Sequence, residues 1–233
     1  RLDDEIADLS SELSESADLR VCAGVHLQTG RDVEIHMLPA GAPARGPAAE
    51  RLVRAARAAG RASHANVLNV LDSGTDLEGG PYVVYERFDG ETVAGLVARE
   101  GPLNAEEAGQ TMTQVLLALE ALHARSVIHR YLRPDNVLLA RRENAPPRVK
   151  ITGFGYAFAV SRANALNAAA PDLPRGYSRF LAPEVRRGES STTAAIDIYA
   201  AGVLMRFLLT GDLDPASDLA LDPNAARAIE QAT

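Results

Sequence analysis

The segment 127–139 constrains the fold of this chain more than any other stretch. It reads Val127-Ile128-His129-Arg130-Tyr131-Leu132-Arg133-Pro134-Asp135-Asn136-Val137-Leu138-Leu139. The preceding segment, 105–125, has apolar residues at helical spacing and is predicted to be a helix. The residues that follow Asn136 form an apolar run typical of a buried strand. The polar residues between them therefore predict a loop that joins a helix to a strand.

Composition narrows the class of protein. The chain has 233 residues, of which 46% are hydrophobic and 24% are charged, a composition typical of a globular domain. Its net charge of −7 argues against a nucleic-acid partner, because a phosphate backbone calls for a basic surface. The single cysteine, Cys22, excludes a disulfide framework and fits a reducing compartment as a small buried side chain. No apolar run reaches the ~18 residues of a membrane span.

Residues 1–19 form a predicted unit of their own. Leu2, Ile6, Leu9 and Leu13 are spaced four, three and four residues apart, and acidic residues lie between them. This spacing predicts an acidic amphipathic helix or linker that packs on its own domain. A lead-in from a preceding domain is the alternative.

Several further elements follow from periodicity and turn residues. Strands are predicted around a turn at 28–31, where apolar and polar residues alternate on both sides. Two more strands are predicted at 67–70 and 81–85, separated by a turn at 72–75. Helices are predicted at 48–60, 92–98 and 105–125 and from Asp197 to Gly211.

Six segments resemble, in order, the motifs of protein kinases. They are residues 31–39 (the strand of the phosphate-pairing lysine), 81–90 (the hinge), 127–139 (the catalytic loop), 152–155, 180–185 and 197–202. The resemblance spans roughly residues 20–211 and is strongest to actinobacterial transmembrane Ser/Thr kinases. It implies an α+β, bilobal protein kinase-like fold. Residues 20–88 would form a small antiparallel-sheet N-lobe with the hinge, and residues 89–233 a mainly helical, shortened C-lobe.

The resemblance divides the motif positions into two groups. Positions that build the kinase fold match the family, namely His129, Phe154, Gly155, Pro183, Glu184, Asp197 and Gly202. Positions that carry its chemistry depart from it. His36 replaces the lysine, Ala55 its glutamate partner, Tyr131 the catalytic aspartate, Arg133 the loop lysine, Gly153 the metal-binding aspartate and Tyr177 a threonine. Asn136 remains as one residual metal ligand, and Gly24 is the only glycine in the predicted phosphate-loop segment 20–25.

The resemblance also assigns the nucleotide cleft. Tyr85 stands at the gatekeeper position behind the nucleotide, and Glu86, Arg87 and Phe88 stand at the hinge positions that pair with adenine. A bulky aromatic gatekeeper narrows such a pocket.

These departures predict a catalytically inactive pseudokinase without a bound cofactor or metal. A neutral phenol with a pKa of about 10 is a poor general base. Mg²⁺ requires hard oxygen ligands, and Gly153 supplies none. Phosphoryl transfer depends on positioning and on charge neutralisation, so losing these groups together is expected to abolish turnover.

The resemblance further implies partners and a location. A regulatory scaffold of this family would be phosphorylated by an active Ser/Thr kinase and read by a forkhead-associated domain. The intracellular domain of lipid II flippases of the MurJ/MviN type has this arrangement. It would place the chain on the cytoplasmic side, where it would be fused to transmembrane segments and would regulate peptidoglycan synthesis.

The enzyme-class alternative is an atypical active kinase, or a nucleotide-binding regulator, that uses displaced catalytic groups. Asp135, beside Asn136, is the nearest carboxylate in the sequence that could serve it.

Overall fold

The computed structural model describes residues 6–15, 20–61, 63–77, 79–153, 177–187 and 193–212. Within them lie strands β1 (Ile6–Glu15), β2 (Arg20–His26) and β3 (Arg31–Met37), helix α1 (Pro47–Gly60), strands β4 (Val70–Thr75), β5 (Pro81–Glu86) and β6 (Glu91–Thr92), helices α2 (Val93–Glu100) and α3 (Ala105–His123), a 3-10 helix Pro134–Asn136, strands β7 (Val137–Arg142) and β8 (Ala145–Ile151), a 3-10 helix Tyr177–Phe180, and helices α4 (Pro183–Arg186) and α5 (Ala195–Thr210).

The first sheet has the strand order β1-β2-β3-β5-β4 and is antiparallel throughout. Alternation in β3 decides its two faces, because successive side chains of a strand point to opposite sides. Val33 and Ile35 are fully buried with Tyr82 and Val84 on one face. Glu34 and His36, the residues that follow them, lie on the other face.

The first strand corrects the prediction of a helix or linker at residues 1–19. β1 pairs with β2 and extends the sheet, so residues 6–15 belong to the N-lobe. Its register shifts twice, between Ala7 and Ser11 and between Glu12 and Ser14. Such bulges insert residues and break the two-residue alternation of a strand. The apolar residues of the strand are then spaced as they would be in a helix.

The fourth strand also lies elsewhere than predicted. β4 begins at Val70 and includes the segment 72–75 that was predicted as a turn, whereas Val67 forms a single parallel bridge with Ile151. The chain reverses at 76–80, where Gly80 N donates to an Asp76 carboxylate oxygen at 2.7 Å. Gly74 lies within the strand rather than in a turn. It lets the Tyr82 side chain pack close to the backbone, since a Cβ there would lie 2.6 Å from the Tyr82 hydroxyl oxygen.

Helices dominate the second half of the described chain. α3 and α5 pack together around a core that also takes in α2, β7 and β8, with Leu119, Leu122, Leu204 and Leu208 fully buried. α5 ends at Gly211, whose φ of +69° is a helix-ending conformation that glycine adopts without strain. The antiparallel sheet followed by a helical core agrees with the predicted α+β class.

The two halves meet through the segment 66–69, which joins α1 to β4. Leu68 N donates to Ile151 O at 3.0 Å, and Ile151 N donates to Asn66 O at 2.9 Å. The Asn66 side-chain amide donates to Val149 O and to the Gln114 amide oxygen. This segment of the first half is therefore bound to β8 and α3 of the second.

Among the helices that the structure describes, none combines the length and the apolar character needed to cross a membrane.

Replacing Leu204 by alanine should lower the free energy of unfolding by about 2–5 kcal/mol, because the side chain is fully buried and its removal leaves a cavity. Leu77→Ala is the matched control. Leu77 is 75% exposed, and a surface change of this kind costs within about 0.5 kcal/mol. Urea unfolding of both variants measures the difference, and equal losses would contradict the packing of α5.

Candidate active site

A buried carboxylate on α5 holds the loop between α3 and the 3-10 helix Pro134–Asn136. Asp197 accepts hydrogen bonds from the backbone N–H groups of His129 at 2.8 Å and Arg130 at 2.7 Å. The His123 imidazole lies 2.8 Å from the same carboxylate. Arg130 has a φ of +63°, a conformation that costs free energy for a residue with a side chain. The two hydrogen bonds to Asp197 fix the backbone immediately before the Cα of that strained residue.

His129 connects this loop to the end of β8. Its side chain is fully buried, its Nδ1 lies 3.2 Å from Tyr131 N, and its Nε2 lies 2.9 Å from Thr152 O. Since Nδ1 accepts from a backbone N–H, the proton of the neutral ring resides on Nε2 and is donated to the carbonyl. Burial lowers the pKa of His129, which favours this neutral form.

Tyr131 is buried beneath Arg133. The Arg133 guanidinium carbon lies 5.5 Å from the centre of the Tyr131 ring, and Nη1 donates to the phenol oxygen at 3.3 Å. Burial raises the pKa of Tyr131, and the Arg133 charge opposes this only in part. The phenol is therefore neutral at neutral pH and cannot replace a carboxylate as a base.

Asp135 supplies a carboxylate on the same loop. Arg133 Nε donates to Asp135 Oδ2 at 2.7 Å, and a second guanidinium N–H reaches the same oxygen. The Arg133 side chain is 11% exposed, whereas that of Asp135 is 52% exposed. Among the described residues, both N–H groups bind Oδ2, which leaves Oδ1 as an acceptor at the surface. Arg133 thus orients an accessible carboxylate.

Asn136 and Gly153 pack directly against each other. Gly153 has a φ of +81°, and a Cβ built on it would lie 2.6 Å from the Asn136 side-chain carbon. Asn136 Nδ2 donates to Tyr131 O at 2.7 Å, and Thr152 N donates to Asn136 O at 2.9 Å. The asparagine amide therefore fills the space that a side chain at position 153 would need.

No metal centre is formed in this part of the described chain. Within residues that the structure describes, no group of three or more His, Cys, Asp or Glu side chains is arranged to hold an ion. Asn136 offers one amide oxygen, and Gly153 contributes no ligand. The residues present do not fit a protein-held Mg²⁺, which prefers several hard oxygen ligands.

On the sheet of the first half, His36 faces the same side as Glu34 and Tyr85. Its ring lies 4.5 Å from the Tyr85 ring, and its Nε2 lies 3.8 Å from the Glu34 carboxylate. Nε2 is buried and makes no hydrogen bond within the described chain. Tyr85 is also buried, which raises the pKa of its phenol. His36 thus packs against the gatekeeper ring of Tyr85 and does not take the place of the phosphate-pairing lysine.

The predicted phosphate-loop segment was misplaced. Residues 20–25 lie in β2, and Gly24 pairs with Val33 of β3 rather than forming a turn. The connection between β1 and β2 is residues 16–19, which contain no glycine and lie outside the described residues. Ala55 lies in α1 and Tyr177 begins a 3-10 helix.

The hinge positions end β5 and continue beyond it. Glu86 forms an ion pair with Lys150 at 2.7 Å, and Arg87 lies 3.8 Å from Glu34. Phe88 is buried against Tyr85, with Leu138 of β7 packed on the same cluster. Lys150 was missed in the sequence, although a lysine between Val149 and Ile151 in an apolar strand is a signal for a buried partner.

The remaining motif positions fall into place around α5. Glu184 lies in the first turn of α4, and Gly202 is buried within α5. Phe154 and Gly155 lie outside the described residues.

The sheet, the helical half and the loop held by Asp197 define the protein kinase-like fold, so the fold prediction is confirmed. The family model of the protein kinase domain matches residues 20–227, and this chain belongs to that family. The crystal structure of Rad53 1-466 in complex with AMP-PNP has the same fold, with a TM-score of 0.72, 20% identity, and coverage of 98% of this chain and 60% of that one.

Similar curated proteins are bacterial serine/threonine-protein kinases. The kinase pkn3 of Myxococcus xanthus is 35% identical over 73% of this chain, a probable kinase of Corynebacterium efficiens 32% over 88%, and PknB of Mycobacterium leprae 31% over 78%. The chain spans 31%, 30% and 29% of their respective lengths.

These relatives contradict the prediction of a catalytically inactive scaffold. Sequences that are 31–35% identical are named as kinases, which points to an enzyme. The prediction was wrong because it inferred inactivity from the joint loss of the motif groups and kept Asp135 only as the alternative. A missing group at position 131 does not determine whether a neighbour such as Asp135 supplies a carboxylate.

His129 should make stability depend on pH between 7.5 and 5.5. Its pKa is lowered in the folded state, so the unfolded chain binds a proton first as the pH falls through about 6.5. The free energy of unfolding is therefore reduced by up to about 1.4 kcal/mol for each pH unit below that value, until the folded form also protonates. Urea unfolding at both pH values should show a larger loss for the wild type than for His129→Gln. Parallel losses would contradict the buried neutral ring.

Gly153→Ala should destabilise the chain more than Gly101→Ala. Both glycines have a positive φ, +81° and +87°, but a Cβ at position 101 meets nothing within 4 Å. The control should therefore lose about 1–3 kcal/mol from backbone strain alone, since its ψ of −174° places it in a region that is nearly restricted to glycine. The contact with Asn136 should add roughly 1–3 kcal/mol at position 153. Thermal or urea unfolding compares the two, and equal losses would show that Asn136 yields freely.

Proposed function

We propose that this chain is an atypical serine/threonine protein kinase domain whose catalytic groups are displaced from the usual positions. It would bind a nucleoside triphosphate between its halves and transfer the terminal phosphoryl group to a hydroxyl. The observation that carries this is the accessible Asp135 carboxylate, oriented by Arg133 in a loop that the buried Asp197 holds in the kinase arrangement. The names of the similar bacterial proteins support the same class of reaction.

Asp135 has the chemistry that the reaction needs from a side chain of this loop. The substrate hydroxyl oxygen would form a bond to the terminal phosphorus, and the bond to the nucleoside diphosphate would break. The hydroxyl proton would pass toward the Asp135 carboxylate, whose free oxygen accepts and orients it. The proposed reaction includes no step at a protein-held magnesium ion, because Asn136 and Gly153 do not fit one.

The nucleotide would lie against the hinge positions Glu86, Arg87 and Phe88. Tyr85 and Phe88 are buried in an apolar cluster with Leu138 packed on it, and this cluster would lie beside the base. Tyr85 narrows the back of this cleft, so the base would be held near the hinge rather than deep behind it.

The predicted partners stay predictions about the whole protein that carries this domain. These predictions are a modifying Ser/Thr kinase, a forkhead-associated reader, the flippase-type fusion and a cytoplasmic location.

Asp135→Asn should reduce phosphoryl transfer at least about 100-fold, because a positioned acid–base group contributes roughly 10²–10⁴-fold. The measurement is incorporation of labelled phosphate from ATP into a generic protein substrate, with a divalent cation in the buffer. Asp32→Asn, an exposed change on β3, is the matched control and should keep the wild-type rate.

Two outcomes would contradict the proposal. Equal rates for Asp135→Asn and the wild type would remove Asp135 from the reaction. No incorporation by the wild type, together with no ATP-dependent rise in Tm, would refute the kinase function itself.

A further inference from the structure

The Lys150 ammonium is buried between the two halves of the fold. The residue is 5% exposed, and Nζ donates to Glu86 Oε1 at 2.7 Å and to Val67 O at 3.3 Å. Glu86 ends β5, Val67 belongs to the segment that joins α1 to β4, and Lys150 lies in β8. A buried charge requires such partners, because an isolated ion in a protein interior is costly.

The same carboxylate oxygen of Glu86 accepts a second hydrogen bond. Asn69 N donates to Glu86 Oε1 at 2.8 Å, and Glu86 N donates back to Asn69 O at 3.0 Å. One oxygen atom thus joins the end of β5, the segment 66–69 and β8. The end of β5 begins the hinge, the segment 66–69 joins the two halves, and β8 leads to Gly153.

From β8 the connection continues into the catalytic loop. Thr152 follows Ile151, its carbonyl oxygen accepts from His129, and its N–H donates to Asn136 O. The hinge is therefore linked to the loop held by Asp197 through the Lys150 ion pair, the backbone of residues 150–152 and the hydrogen bonds of Thr152.

We propose that Lys150 is a positioning residue that fixes the hinge segment 86–88 relative to the catalytic loop. Replacing a buried ion pair with apolar groups often costs no stability, and such pairs can instead specify one arrangement. Loss of both charges together should accordingly loosen the hinge more than it lowers overall stability. The consequence for the nucleotide, weaker binding at a less ordered hinge, rests on the proposed function.

Hydrogen exchange of the backbone amides tests this directly. Lys150→Met should speed exchange in 86–90 at least tenfold, with α2 and α5 unchanged. The double variant Lys150→Met with Glu86→Gln should keep that increase, because the connection is still missing although no buried charge is unpaired. Arg31→Met, which removes an exposed cation at the start of β3, is the control and should exchange like the wild type.

A return to wild-type exchange in the double variant would overturn the proposal, since the pair would then only neutralise its own charges. Unchanged exchange in Lys150→Met would overturn it as well. If Lys150→Met fails to fold, Glu86→Gln decides the question. It keeps the acceptor but not the charge, and it should speed exchange at 86–90 at least threefold; unchanged exchange there would overturn the proposal.

ATP titration separates this inference from the proposed function. If the wild type binds ATP, Lys150→Met should raise the Kd at least fivefold, and an equal Kd would overturn the link to the nucleotide. If the wild type binds no ATP, the proposed function fails, while the exchange measurements still decide whether Lys150 positions the hinge.

Discussion

The buried carboxylate of Asp197 is the interaction on which the site depends. It accepts the backbone N–H groups of His129 and Arg130, and it lies beside His123 at the end of α3. A buried carboxylate requires such donors, because an unpaired charge in a protein interior is costly. Because α5 is packed into the largest core, this contact anchors the loop to that core and holds Arg130 at a positive φ.

With that loop fixed, the unusual residues of the site adapt to one another. Arg133 covers the neutral Tyr131 and orients Asp135, while Asn136 fills the space above Gly153. These two arrangements are coupled through the Asn136 amide, which donates to Tyr131 O. Gly153→Asp alone would restore the usual kinase residue, but its side chain would clash with Asn136 before it could bind a ligand. The residues that depart from the kinase motifs therefore pack against one another in an arrangement of their own.

The first half is tied to this site at the segment 66–69. Backbone hydrogen bonds join it to Ile151, and Lys150 and Glu86 add an ionic contact across the same junction. On the inner face of the sheet, His36 packs on Tyr85 instead of presenting a fixed positive charge. Any anionic ligand between the two halves would consequently depend on contacts other than the one at position 36.

The sequence by itself determined the family and the order of elements, because apolar periodicity and motif spacing depend on neighbouring residues. It located α3, α5 and the catalytic loop, and it placed Asp197 among the residues that build the fold. It could not determine β1, whose bulges imitate a helix, or the extent of β4, where Gly74 admits Tyr82. Only the tertiary structure paired Lys150 with Glu86, Arg133 with Asp135 and Asn136 with Gly153. The physical reason is that the Lys150 and Asn136 contacts join residues 17 to 64 positions away from each other, and the orientation of Arg133 follows from the buried Tyr131 beneath it.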